Sequence, residues 1–355
     1  MRLSDKHIKE LRENLDKGFL MTSRHPTLPL TVFKYSKGYE VSIFKMENTT
    51  GRTPDNWSEL MKMCRGLVLD DDYNIISKPF NKFFNIEDYK YDYPKDAPFV
   101  VFEKIDGSCL EVFLYKGEII TCTLGSFVSD MADYAQFLLA HKYNDYIGQF
   151  KEGFTYIFEI IYPGNRVVLN YEGREELIFL AQFNLETCKE VYNATLEGFP
   201  YAKKFEFNSI DEILETKKRK EFNNEEGYVV LFPELDFRLK IKFEEYFKIH
   251  RIVSGLTEWK VWEGLKNNTL QELLIDNLPD EFIAEFELIK NNLIEKYNEI
   301  HAVSKNIFVQ LDNLKTRKDF AIEVMGNYKF YFPILFKMFD GREYSNEIWQ
   351  KIEPK

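Results

Sequence analysis

Over the first 245 residues or so, apolar positions come mostly in short runs rich in Phe, Tyr, Val and Ile. Gly, Pro, Asn or Asp bounds most of them. Runs of this kind read as β-strands. They fall at residues 64–69, 74–79, 98–102, 109–115, 119–124, 154–161, 177–183, 226–232 and 238–243. Residues 30–44 alternate around Lys37-Gly38 and predict a β-hairpin. Three stretches switch to helical spacing. Residues 5–18 carry Ile8, Leu11 and Leu15 behind a Ser4-Asp5 cap; residues 130–150 form the second; residues 208–221 end in the basic run Lys217-Lys218-Arg219-Lys220. Residues 47–57 read as a polar loop, and residues 80–85 as an aromatic-rich loop that carries Lys82.

From about residue 244 the period changes for good. Residues 244–276, 279–313 and 316–338 place apolar side chains at helical spacing, with Leu, Glu, Lys and Asn prominent. The pattern predicts an α+β domain over residues 1–249, followed by an all-helical domain over residues 250–355.

Composition narrows the class. At 355 residues, 45% hydrophobic and 30% charged, the chain can bury a sizeable core and is not of disordered type. The net charge of −11 argues against a protein coated for non-specific duplex binding, though a local basic cleft remains compatible with it. Cys64, Cys109, Cys122 and Cys188 show no C-x-x-C spacing, which favours reduced thiols in a cytosolic compartment over metal capture. No apolar run approaches the length of a membrane span, and the first residues lack a signal-peptide core. Localisation in the cytoplasm is the expectation.

Charge inside apolar runs marks the candidate chemistry. Lys104 lies in Glu103-Lys104-Ile105-Asp106-Gly107-Ser108, on the tight loop between the strands at 98–102 and 109–115. An amine becomes nucleophilic when desolvation or nearby cations favour its neutral form. The Asp-Gly-Ser that follows is turn-forming, and its glycine would let the backbone come close to a ligand. An exposed lysine at a hairpin entry is the plain alternative. Glu159 is the one acid in the run 154–161, and an ion buried there needs a partner. Lys240 and Lys242 alternate with apolar residues and share one face of their strand, where an anion would relieve their repulsion. A solvent-facing edge would also explain that pair.

Taken in order, Lys-x-Asp-Gly at 104–107, Phe158-Glu159, Glu226-Gly227-x-Val229 and Lys240-x-Lys242 resemble the motifs of the covalent nucleotidyltransferase superfamily, that is, ATP-dependent DNA and RNA ligases and mRNA capping enzymes. Within it the chain looks like the phage-type RNA ligase 1 family, through Arg65-Gly66 upstream of the lysine and Lys82-Phe83-Phe84-Asn85 between them. Cys109 stands where DNA ligases and capping enzymes usually carry an arginine. One departure is Leu124-Gly125-Ser126, where the family usually has Lys-Gly-Ser.

The resemblance implies an antiparallel-sheet nucleotidyltransferase domain of ATP-grasp-like ligase adenylation type, with Lys104 as the nucleophile that becomes lysyl-AMP. It implies ATP and phosphate binding by Arg65, Lys82, Glu159, Lys240 and Lys242, and Mg2+ (with Mn2+ able to substitute) at Glu226, with Glu159 as a second choice. The expected partner is RNA with 5′-phosphate and 3′-hydroxyl ends, broken tRNA among the candidates, handled by a monomer. The competing readings are a DNA ligase or capping enzyme, and an inactive nucleotide- or RNA-binding module.

Overall fold

The computed structural model describes residues 1–46, 56–89, 92–165, 167–217, 224–270, 282–314 and 316–354. It divides into two compact units, Met1–Val253 and Ser254–Lys355.

The first unit holds the strands. β1 (Leu20–Arg24), β2 (Leu30–Tyr35), β3 (Arg65–Asp70) and β4 (Ile75–Ser77) form one antiparallel sheet in that order. β5 (Phe84–Asn85) and β6 (Val100–Glu103) belong to a second sheet. β7 (Ser108–Tyr115), β8 (Glu118–Thr123), β9 (Phe154–Ile161), β10 (Glu176–Asn184) and β11 (Lys189–Glu190) build a third, in the order β11-β10-β9-β7-β8. β12 (Lys204–Phe205), β13 (Gly227–Phe232) and β14 (Phe237–Lys242) complete the second sheet as β12-β6-β13-β14-β5. All pairings within the three sheets are antiparallel except the short β14–β5 contact.

The near-continuous apolar run of β9 is explained by burial on both faces. Tyr156, Phe158 and Ile160 pack with Ala135, Leu138 and Leu139 of the helix Asp130–His141. Alternation turns Ile157, Glu159 and Ile161 to the other face, where Ile157 meets Phe80 and Phe183, and Ile161 meets Ile105 and Ile178. Glu159 therefore lies on the face shared with the Lys104 loop.

The observed structure departs from the sequence pattern in two places. Residues 30–44 are not a hairpin: after β2 the chain turns into the helix Lys37–Met46, and β2 pairs instead with β1. Alternation in that stretch is broken by Tyr39 and Ile43, which at i and i+4 share one buried helix face. The strands flanking Lys104 are not a hairpin either, because β6 and β7 belong to different sheets. The helix at 5–18 is observed as Asp5–Asp16, with Ser4 Oγ accepting from the His7 N–H as its cap. Residues 47–55 of the expected polar loop, and Lys218, Arg219 and Lys220, lie outside the described residues; Lys217 pairs with Glu87.

In the second unit the described elements are helical: Glu258–Asn267, Ile283–Gln310, Arg317–Asn327, Phe332–Phe339 and Ser345–Lys351, with one short 3-10 turn. Phe320, Val324 and Leu335 are buried in its core.

Candidate active site

The crossing from β6 to β7 places Lys104 where two sheets meet. Its N–H donates to Gly227 O at 2.9 Å, so the loop is tied to the first residue of β13. The residue before that contact is Glu226, whose side chain is 2% exposed. Lys104 Nζ lies 2.8 Å from Glu226 Oε2, and Lys242 Nζ lies 3.1 Å from Glu226 Oε1. One buried carboxylate thus holds two ammonium groups from two different elements. Lys104 keeps 20% of its side chain exposed, against 9% for Lys242, so it is the more open of the two.

Two glycines make this closeness possible. Gly227 has φ +150°, and a Cβ there would stand 2.1 Å from Ile241 O of β14. A Cβ on Gly107 would stand 2.5 Å from Ile160 O and 3.0 Å from Glu159 Cγ. The sequence suggested that Gly107 admits a ligand; what it admits is strand β9.

Asp106 is fully employed in holding the loop. Its Oδ2 accepts from the N–H groups of Val168 at 2.8 Å and Leu169 at 2.7 Å, and its Oδ1 accepts from the Tyr246 hydroxyl at 2.7 Å. Its own N–H donates to the Tyr171 hydroxyl at 2.8 Å. Tyr246 is almost completely buried, and Lys242 Nζ sits 5.3 Å from its ring centre. Tyr246 therefore joins the Lys104 loop to the end of β14. No local pattern marked Tyr246, because an aromatic at the start of a helix reads as core.

Glu159 pairs with Cys109 in the register of β9 and β7. Burial pushes its pKa up to about 7, the positive charges of Lys104 and Arg65 pull it down, and the carboxylates of Glu226 and Asp106 raise it further. Those neighbours place Arg65, Lys104, Glu159 and Glu226 in one electrostatic group. Cys109 belongs to it too: burial drives its thiol well above the usual range, opposed by Arg65 and Lys104. Lys240 lies against the Phe83 ring, 5.4 Å from its centre.

Lys82 is paired within the fold. Its side chain is 3% exposed, its Nζ is 2.9 Å from both Glu40 Oε1 and the Tyr35 hydroxyl, and the rings of Tyr35, Trp57 and Phe84 surround it. Lys37 Nζ lies 3.1 Å from Glu40 Oε2, so this carboxylate too holds two ammonium groups.

Glu111 was missed, although the rule that selects Glu159 selects it equally: an acid inside an apolar strand. It is fully buried, its Oε2 accepts from Ser77 Oγ, its Oε1 has no hydrogen-bond partner, and burial raises its pKa well above the usual range.

Among the described residues no group of three or more His, Cys, Asp and Glu side chains is set to hold a metal. Glu226, the expected metal ligand, has both oxygens paired with ammonium groups, so a cation there would displace one of them.

A lysine at a sheet crossing, backed by a shared carboxylate and further cations, is an arrangement of the covalent nucleotidyltransferase kind. Residues 63–247, slightly more than half of the chain, match the family described as RNA ligase, of the T4 RNA ligase 1 type. The chain belongs to that family. An RNA ligase of Rhodothermus phage RM378 is 24% identical over 372 residues, covering 82% of this chain and 83% of that one. A protein of Autographa californica nuclear polyhedrosis virus, named as a bifunctional polynucleotide kinase/RNA ligase, is 30% identical over 254 residues. That match covers 64% of this chain, which spans only 35% of the viral protein. A solved structure of Naegleria gruberi RNA ligase with PPi overlaps 44% of this chain and 53% of its own, at 14% identity and a TM-score of 0.34.

Proposed function

We propose that the chain is an ATP-dependent RNA ligase that joins a 5′-phosphate to a 3′-hydroxyl through a lysyl-AMP intermediate. The observation that carries this reading is the pairing of Lys104 and Lys242 on Glu226. Of the two ammonium groups on this buried carboxylate, that of Lys104 is the more exposed, and it lies on the loop that carries the Lys-x-Asp-Gly motif.

In the first step Lys104 Nζ, having given up its proton and its contact with Glu226, attacks the α-phosphorus of ATP; an N–P bond forms and pyrophosphate leaves. The AMP group then passes to the RNA 5′-phosphate, and the 3′-hydroxyl displaces AMP to close the strand. Such transfers depend on positioning and charge neutralisation more than on acid–base groups. Lys242 stays on Glu226 when Lys104 leaves it, so the carboxylate is never left bare. Arg65 and Lys240 are the cations this reading assigns to phosphate oxygens. Glu159, within electrostatic reach of Lys104, would accept from a ribose hydroxyl. A divalent cation on Glu226, with Glu159 as a second carboxylate, would neutralise phosphate charge and compete with Lys104 for Oε2.

Broken tRNA as the natural substrate, action as a monomer and a cytoplasmic setting belong to the same proposal. The four free cysteines agree with a reducing compartment.

The test is incubation with ATP labelled in the α-phosphate, with Mg2+ or Mn2+, and a denaturing gel. Label retained by the native chain and absent from Lys104→Ala is expected, followed by sealing of single-stranded or stem-loop RNA. Absence of label from the native chain would overturn the ligase mechanism. Preferential sealing of nicked DNA would replace the substrate.

A further inference from the structure

We infer that Glu111 is a positioning residue for the proposed reaction: its buried carboxyl, seated against the backbone of Gly66, sets where Arg65 stands relative to Glu159 and Lys104. The inference rests on the ligase reading for what Arg65 then binds, and on the geometry of β3, β4 and β7 for the seat itself.

The site draws on two sheets. Glu159 on β9 and Cys109 on β7 belong to the third sheet and pair in register. Arg65 opens β3 of the first sheet and reaches both of them electrostatically. The distance between Arg65 and the rest therefore depends on how the first sheet is fixed against the third. Glu111 lies on β7 two residues beyond Cys109, hence on the same face. Its side chain is fully buried and crosses to the first sheet. Its Oε2 accepts from Ser77 Oγ of β4. Ser77 Oγ in turn lies 3.0 Å from Thr155 Oγ1 of β9, which accepts from the Lys78 N–H at 3.1 Å. The carboxyl is thus held from β4 while its stem stands on β7.

The other oxygen meets β3. The pairing of β2 with β3 runs regularly from Leu30 opposite Asp70 to Phe33 opposite Leu67. It then skips a residue, so that Lys34 stands opposite Arg65 and Gly66 is the extra residue of a bulge. A bulge bends its strand and re-aims the side chain beside it, here that of Arg65. Gly66 has φ +120°, a conformation that L side chains rarely adopt. A Cβ there would collide with Glu111 Oε1 and stand 3.1 Å from Leu124 Cδ2 and from Pro79 Cγ. Glu111 Oε1 therefore fills the place of the missing side chain, and among the described residues it has no hydrogen-bond partner. A buried polar atom left without a partner costs stability, so packing alone would be served better by an apolar side chain of the same size. What the carboxyl supplies is a link, with one oxygen held by β4 and the other wedged into the bend of β3.

The measurement is a double-mutant cycle on covalent labelling of the full chain by ATP, read as the apparent KM for ATP. Glu111→Ala empties the seat; Glu111→Gln keeps its size. Glu111→Ala is expected to raise KM about tenfold and Glu111→Gln to stay within about twofold of native. In an Arg65→Ala background Glu111→Ala should add nothing, because its effect passes through Arg65. Native KM in Glu111→Ala, or an equal further loss in the Arg65→Ala background, overturns the inference. A purely structural role would lower the unfolding midpoint of Glu111→Ala without this dependence on Arg65. If Glu111→Ala does not fold, Glu111→Asp, which draws the carboxyl back by one methylene, carries the same cycle. Hydrogen exchange at the Gly66 amide reads the bend without ATP: faster exchange in Glu111→Ala than in Glu111→Gln is expected, and equal exchange overturns the seat. That difference in exchange, in a chain that ATP does not label, would overturn the ligase mechanism and leave the seat standing.

Discussion

Two of the lysine–glutamate groups in the first unit rest on glutamates 2% exposed, and they are built alike up to a point. Glu40 holds Lys82 at 2.9 Å and Lys37 at 3.1 Å; Glu226 holds Lys104 at 2.8 Å and Lys242 at 3.1 Å. They differ in what surrounds the ammonium. Lys82 is closed in by the rings of Tyr35, Trp57 and Phe84, with 3% of its side chain exposed. Lys104 keeps 20% exposure and has Arg65 and Glu159 within electrostatic reach. An enclosed ammonium stabilises a fold; one with an opening can exchange its partner for a ligand. The distance alone does not separate the two cases.

The largest effect expected is at Lys104. Lys104→Ala should reduce covalent labelling by ATP at least about a thousandfold, since the nucleophile itself is gone. Its thermal unfolding should stay near native, because Lys242 still pairs with Glu226. A Lys104→Ala chain that unfolds would move this pair to the structural side. Next comes Lys82→Ala, which removes the more enclosed of the two ammonium groups on Glu40, leaves Lys37 on Oε2 and should cost about 1–3 kcal/mol in denaturant unfolding. Replacing both partners, as Lys82→Met with Glu40→Leu, should recover most of that. Native stability combined with lost labelling in Lys82→Ala would assign Lys82 to the triphosphate.

A pH series sharpens the comparison further. The folded-state pKa of Glu159 is raised to about 7 from an ordinary 4.5, so the folded chain binds this proton more tightly than the unfolded one. The resulting stabilisation is fully present below pH 4.5 and is lost as pH rises through about 7. Glu159→Gln lacks this dependence. Native stability relative to Glu159→Gln should therefore fall between pH 4.5 and about 7, by at most about 3 kcal/mol. A flat difference would mean that Glu159 is ionised throughout. The smallest effect is at Tyr246→Phe, which removes the hydroxyl from Asp106 Oδ1 and should cost about 1–3 kcal/mol in unfolding.

Much of the site could be read from order along the chain. Glu159 and Lys242 stood out as charges where the pattern calls for burial, Lys104 as a lysine on a tight loop between strands, and Glu226 through the resembling motif; the structure brings them together with Arg65. The strands of the first unit were legible for a related reason: runs of β-branched and aromatic residues between turn formers have few other uses. Sheet membership was not legible. Whether β6 and β7 form a hairpin or part company depends on distant strands β13 and β9, which local sequence does not report. The ion pair of Lys82 was not legible because its motif names a lysine without naming Glu40, more than forty positions earlier and on a helix that alternation disguised as a strand. Tyr246 and Glu111 gain their meaning from contacts made across the fold, with Asp106 and Gly66.

The most direct measurement is peptide mapping by mass spectrometry of the native chain after incubation with ATP and a divalent cation. An AMP group on the peptide containing Lys104, acid-labile as a phosphoramide and absent when Lys104 is replaced, is the predicted result. A correctly folded chain that carries no AMP, or carries it on another residue, would contradict the assignment of Lys104 as the nucleophile.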